Sequence, residues 1–331
     1  MRYLVEALDT YEKEKIKDHD LGRIPSPGEQ FEVNEERLNV LLGNNTYGKA
    51  FVKKIERPNE KPKKVVKKKE NKIAIIVPNC NYANWLEKCL NSILEQTYKN
   101  FEIIFVDDVS TDDSVKVAKK LLKKPHKIIQ LKQKRLNGGA RNEAYLHVSK
   151  DVDYIYYVDS DDWLVDKNVL KKINEKLLYQ PDVLFVGLAS YQNGVTRPCL
   201  LPNYNDKYDA IKGWSGSCGK VIKKELATRQ ECLYNEGTLK EDRNQHCRIC
   251  IYMETFEQLK EPVYVWNRSN TKSITTIRDK ILWGTSTIRH YADTKQLCLS
   301  VKGMDARIDS YLNERLKQCE QEIRNGGDRQ W

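Results

Sequence analysis

Three carboxylates in four residues, Asp159-Ser160-Asp161-Asp162, close an apolar run that begins Tyr154-Ile155-Tyr156-Tyr157-Val158. Carboxylates so crowded repel and raise one another's pKa, so the cluster needs a partner for its charge. Oxygen ligands at this density suit a hard divalent cation such as Mn²⁺ or Mg²⁺. The bland alternative is a solvated turn with an Asp helix cap, because short acidic motifs recur by chance. A second acidic pair, Glu241-Asp242, opens a helix-like stretch through Ile249, Ile251 and Phe256. Taken alone it reads as structural, since acidic residues in a first turn complement the helix dipole.

The elements upstream decide what the first cluster faces. Ile73 to Val77, closed by Pro78, is a short continuous apolar run of the kind buried on both faces of a parallel sheet. Leu86, Cys89, Leu90, Ile93 and Leu94 then recur at helical spacing, and Phe101 to Val106 forms a second strand ending in Asp107-Asp108. A helix (Val115, Ala118, Leu121, Leu122), a strand (Ile128 to Leu131), a turn at Asn137-Gly138-Gly139 and a helix from Ala140 lead into the strand carrying Asp159. Ligands in open α/β sheets bind at the carboxyl ends of strands. Pro78, Asp108, the Asn137 turn and the Asp159 cluster would therefore line one crevice.

In this order, Val77-Pro78-Asn79-Cys80-Asn81, Leu90 to Tyr98, Phe101 to Asp112, Asn137-Gly138-Gly139-Ala140-Arg141-Asn142 and Asp159-Ser160-Asp161-Asp162 resemble the motifs of a family 2 glycosyltransferase of the GT-A fold. The close resemblance covers Lys72 to about Leu170, and a weaker one continues to about Thr275. One departure is Cys80, where the family usually has an aromatic residue; base stacking then falls to Tyr82 or is weaker. The resemblance implies an inverting, metal-dependent transfer from a nucleotide sugar, with UDP the expected nucleotide. Asp108 would accept a hydrogen bond from the base. Pro78, Cys80, Asn81, Asn137 and Ser160 would complete the nucleotide side. Asp161 would bind Mn²⁺ or Mg²⁺, and Asp159 would meet the ribose or the metal. Arg141 would approach the nucleotide or pair with a carboxylate such as Glu143. Glu241-Asp242 matches the family's Glu-Asp motif, with Asp242 as general base and Glu241 in support. Trp214 and Lys220 lie in a segment similar to the family's acceptor side, where Trp214 could stack on a sugar ring or belong to the core. Arg268 and Lys272 could reach the leaving diphosphate. Asp107 and Asp112 read as turn and capping residues.

Composition fits an enzyme with a substantial core. The expected architecture is a small N-terminal α+β module (1–56), a Lys-rich linker (57–71), a GT-A domain with a mostly parallel central sheet (72–275) and a helical C-terminal extension (276–331). The domain divides into a nucleotide-sugar half (72–170) and an acceptor half (171–275). The formal net charge of +10 is concentrated near the linker, where ten Lys and Arg stand against three Glu between Lys53 and Lys72. Such a run is a solvated spacer or a contact for DNA, RNA or anionic lipid. Nine cysteines, no signal-peptide pattern and no apolar run of membrane-spanning length suggest the cytoplasm. Cys247 and Cys250 are spaced as in metal sites, yet a second ligand pair is missing, which favours buried thiols over zinc. In the first 56 residues, Met1 to Val5, a short helix over Asn34 to Asn45 closed by Gly43 and Asn44, and Tyr47 to Val52 resemble a small module of prophage proteins, which would make the chain phage-borne, in the host cytoplasm, and the module an adaptor for a protein partner.

Three function classes follow. The first is sugar transfer to a hydroxyl of a glycan, a lipid-linked saccharide or a protein. The second keeps the chemistry but takes a hydroxylated base of phage DNA as acceptor. The third is a non-catalytic nucleotide- or glycan-binding protein.

Overall fold

The computed structural model describes residues 2–7, 30–34, 41, 52–54, 70–271, 273, 280–301 and 306–324. Most of the expected helix at 34–45, the Lys-rich segment up to residue 69 and Lys272 lie outside them. The chain divides into two compact units, Met1–Lys68 and Lys69–Trp331. In the first, β1 (Arg2–Ala7) pairs antiparallel with both β2 (Gln30–Asn34) and β3 (Val52–Lys54).

The second unit is built on a nine-stranded sheet. Its first half is parallel: β4 (Ile73–Asn79) lies between β5 (Phe101–Asp107) and β7 (Tyr154–Tyr157), and β6 (Lys127–Gln130) flanks β5. All seven residues of β4 are buried because alternate side chains enter two separate cores. Ile73, Ile75 and Val77 meet α1 (Ala83–Leu94) and α2 (Ser114–Leu121), whereas Ala74 and Ile76 meet α3 (Leu136–Leu146). Each fully buried Val or Ile is worth about 1.5–3 kcal/mol. This double burial is the physical reason for the unbroken apolar run.

The second half is mixed. β11 (Lys220–Lys223) runs antiparallel to β7 and to β9 (Val183–Gln192), and β12 (Phe256–Asn267) returns parallel to β9 and antiparallel to β8 (Trp163–Leu164). β10 (Val195–Cys199) forms a hairpin with β9. Helix α4 (Val169–Leu177) covers one face. On the other, α7 (Glu241–Tyr252) is backed by α8 (Lys280–Ser300) and α9 (Ala306–Arg324). Two short helices, α5 (Lys207–Lys212) and α6 (Lys224–Ala227), complete this half.

Two expected boundaries shift. Asn137-Gly138-Gly139 is the first turn of α3 and not a separate turn, because the Asp108 carboxylate accepts the N–H groups of Arg135 (2.7 Å) and Leu136 (2.8 Å) and starts the helix early. Phe256 does not extend α7. The chain becomes extended at Met253 and Phe256 opens β12, paired with Val183.

Candidate active site

The carboxyl ends of β4, β5 and β7 converge as expected for ligand binding. A small cavity of about 70 Å³ is lined there by Pro78, Tyr82, Asn137, Asp159, Ser160, Asp161, Asp162, Trp266 and Ser273. A larger cavity, about 560 Å³, lies between Tyr145, Leu146, Lys224 and Leu233 and contains none of the expected catalytic carboxylates. The smaller one holds the aspartate cluster, and neither is lined by Glu241 or Asp242.

The three clustered aspartates have different partners. Asp162 is buried, accepting the Tyr264 hydroxyl (2.5 Å) and the Asn267 N–H (2.7 Å), so it anchors β12. Asp161 accepts Asn270 Nδ2 at 2.8 Å, and burial, helped by the Asp159 charge, pushes its carboxyl up to about 6. Asp159 accepts Arg141 at 2.7 Å. The buried hydroxyl of Ser160 between Asp159 and Asp161 has no hydrogen-bond partner among the described residues. No group of three or more His, Cys, Asp or Glu side chains among the described residues is arranged to hold a metal alone. Two carboxylates nonetheless fit a cation that takes its remaining ligands from substrate phosphates and water.

Arg141 joins this cluster to the second acidic pair. Its guanidinium, 3% exposed, donates to Asp159 at 2.7 Å and to Glu241 at 2.6 Å. Burial opposes its charge, but Asp159 and Glu241 outweigh that cost and hold its pKa well above the ordinary value. Burial lifts Glu241 to about 7, against the pull of Arg141 and with Asp242 adding to the rise. Asp242, half-buried, accepts the N–H of Arg243 at 2.8 Å. A second ion pair runs in parallel: Arg135 donates to Glu236 (2.6 Å) and Glu143 (2.7 Å). The close approach requires Gly138, where an added Cβ would lie 2.8 Å from the Asn235 carbonyl and 3.1 Å from Glu241 Cγ.

The remaining candidates split between ligand-facing and structural positions. Pro78, Asn137 and Ser160 line the cavity. Asn81 turns its side-chain oxygen to the Thr111 N–H (2.7 Å) and ties down the loop after β5. Cys80 is half-buried, its thiol raised mainly by burial. Asp108 spends one lone pair of each oxygen on the start of α3, leaving others of the roughly four that a carboxylate offers. Asp107 holds Asn79 and Ser110, and Asp112 accepts the first N–H of both α1 and α2. Trp214 is 39% exposed and meets Trp266 edge to face at 5.6 Å. Lys220 is fully buried, so it cannot itself touch a substrate as placed; it donates to the carbonyls of Ser215 (2.9 Å) and Gly216 (2.7 Å) and fixes the loop carrying Trp214. Arg268 lies over the Trp266 ring at 5.3 Å. Cys247 and Cys250 are buried beside His246, whose Nε2 bonds the Ala210 carbonyl.

Sequence reasoning missed two features. Tyr264, Asn267 and Asn270 hold the aspartate cluster, a role that no spacing announces because the partners lie about a hundred residues away. Asn81, Val109, Leu136 and Lys240 adopt left-handed backbone, at φ 61°, 59°, 59° and 57°, and each neighbours a candidate residue. For Val109, with its branched Cβ, that conformation is costly, and such strain concentrates at functional sites.

A curled α/β sheet with a carboxylate-lined crevice at its strand ends defines the GT-A class of fold. Residues 74–225 match the family described as "Glycosyl transferase family 2". Among relatives, Glycosyltransferase GlyA of Streptococcus pneumoniae is 39% identical over 116 residues, covering 34% of this chain and 16% of that protein. The UDP-Glc:alpha-D-GlcNAc-diphosphoundecaprenol beta-1,3-glucosyltransferase WfaP of Escherichia coli is 38% identical over 121 residues, 36% of this chain and 45% of that protein. The chain thus spans less than half the length of either relative. The crystal structure of S. aureus TarS 1-349 in complex with UDP-GlcNAc superposes with a TM-score of 0.61 at 19% identity, over 75% of this chain and 71% of that one. No helix among the described residues is long and apolar enough to cross a membrane.

Proposed function

We propose that the chain moves a hexose from a UDP sugar to a hydroxyl of a glycan or lipid-linked saccharide, with inversion at the anomeric carbon. The observation that carries this reading is Arg141, whose two short ion pairs bring the Asp159–Asp161 cluster and the Glu241–Asp242 pair to one guanidinium. Donor and base sites of a displacement must lie that close. The relatives' printed names, a UDP-glucose donor and a diphosphoundecaprenol-linked acceptor, support the substrate class.

In this reading Asp159 and Asp161 hold Mn²⁺ or Mg²⁺, which when bound neutralises the diphosphate and favours its departure. Asp108 and the Pro78–Asn137 wall receive the nucleoside. Asp242 takes the proton of the acceptor hydroxyl as that oxygen attacks the anomeric carbon, and the bond to the diphosphate breaks on the opposite side. Glu241 and Arg141 position Asp242 by fixing the first turn of α7. Trp214 offers its exposed face to the acceptor ring, held in place by Lys220.

The test is Asp242→Asn assayed with UDP-glucose, UDP-N-acetylglucosamine and UDP-galactose in the presence of Mn²⁺. Transfer should fall by about 10²–10⁴-fold, the range of general-base catalysis, while donor-induced thermal stabilisation persists. Turnover equal to wild type would place the base elsewhere. Chelation should abolish wild-type turnover and added Mn²⁺ or Mg²⁺ should restore it.

A further inference from the structure

Between Ser114 and Asn142 the chain carries ten Lys and Arg and no Asp or Glu, as much positive charge as the net +10 of the whole molecule. Lys116, Lys119 and Lys120 stand at i, i+3 and i+4, which puts them on one side of α2, and Lys123 follows just past its extended exit at Leu122. All four are exposed, while Ala118 and Leu122 between them are buried. Lys132 and Lys134 are exposed on the loop after the edge strand β6, and Lys134 reaches the Cys80 thiol. Among the described residues the stripe meets one carboxylate, Glu87, 3.7 Å from Lys120.

Lys119 and Lys120 complement the dipole at the last turn of α2, whereas Lys116 and Lys120 are an i, i+4 pair of like charges, which is unfavourable. A polyanionic surface would remove that cost. The surroundings discriminate among polyanions. The one aromatic ring between Ser114 and Arg135 is His126, stacked on Phe101 at 5.7 Å, so this segment itself offers no free platform for nucleic-acid bases. The guanidiniums of Arg135 and Arg141 are committed to carboxylates, leaving no fork for specific phosphate or base recognition. What remains is an array of lysine point charges, the pattern that binds anionic headgroups. We propose that the α2 face and the Lys132–Lys134 loop dock the protein on an anionic lipid bilayer. This holds independently of the sugar-transfer reading, because docking is measured without turnover.

The experiment is co-sedimentation of the full chain with phosphatidylglycerol–phosphatidylcholine vesicles against pure phosphatidylcholine, across salt concentration. The wild type should partition to the anionic vesicles and release with salt. The variant Lys116→Gln/Lys119→Gln/Lys120→Gln/Lys123→Gln, melting as wild type, should lose about tenfold or more of that partition, given the contribution of each surface lysine. A companion variant neutralising Lys63, Lys64, Lys67 and Lys68 should retain most of it. Equal partition of wild type and the α2 variant, or loss confined to the companion, would overturn the proposal. So would a wild type that ignores vesicles but is retained by RNA.

Discussion

Arg141 sets the terms of the site at the scale of single residues. Replacing it by Met leaves the buried Glu241 and the partly exposed Asp159 without this partner, and breaking a buried pair such as Arg141–Glu241 costs about 3–5 kcal/mol. Arg141→Met should therefore lower the denaturation midpoint strongly and reduce transfer even where the protein remains folded; a wild-type midpoint would mean the pairs contribute nothing. Trp214 and Lys220 make a separable case. Trp214→Ala should raise the acceptor KM while donor hydrolysis stays near wild type. Lys220→Met should do the same and also shift Trp fluorescence, because it frees the Ser215 and Gly216 carbonyls that hold the indole's loop. An unchanged acceptor KM in both would remove this loop from acceptor binding. The sequence shows the residue types at these positions but not their partners. Asp159, Asp161 and Asp162 look equivalent in a string of letters, and the Tyr264 and Asn267 contacts make Asp162 structural.

At the scale of elements, α8 supports the loop before α7 and the first turns of that helix, which carry Asp242. Thr238 bonds His290 at 2.9 Å, Asn244 donates to the His290 carbonyl at 3.0 Å, and Asn235 donates to Asp293 at 2.8 Å. Burial pushes His290 down to about 4. Between its ordinary pKa near 6.5 and that value the unfolded chain binds the proton and the folded chain does not, so stability falls as pH drops through this window. The loss is at most about 3 kcal/mol at 1.36 kcal/mol per pKa unit. Denaturation of wild type and His290→Gln at pH 7 and pH 4.5 should show the larger acid loss in wild type; equal losses would assign the acid sensitivity to other groups. Strands β4, β5 and β7 are legible in sequence because double burial produces unbroken apolar runs. The start of α3 and the end of α7 are not. The first depends on the Asp108 carboxylate, twenty-eight residues before Leu136, and the second on pairing of Phe256 with Val183.

For the whole molecule, the division at Lys68 separates a three-stranded unit from the one that contains every candidate catalytic residue. Removing residues 1–68 should leave donor-induced thermal stabilisation of the remainder within about twofold in apparent affinity, read from the ligand-dependent melting shift. Loss of donor binding would show that the first unit completes the site. Charge distribution is the property the sequence shows least directly. The run from Lys53 to Lys72 stands out by eye, whereas the basic stripe on α2 emerges only once helical spacing puts lysines on one side. The single guanidinium shared by the two acidic groups has an evolutionary corollary. Arg141 cannot be lost through descent without leaving both acidic groups unpaired, so both halves of the site are expected to persist or decay with it. Divergence in donor or acceptor preference would then accumulate around this clasp, on the indole-bearing loop and the β9–β10 hairpin, rather than within it.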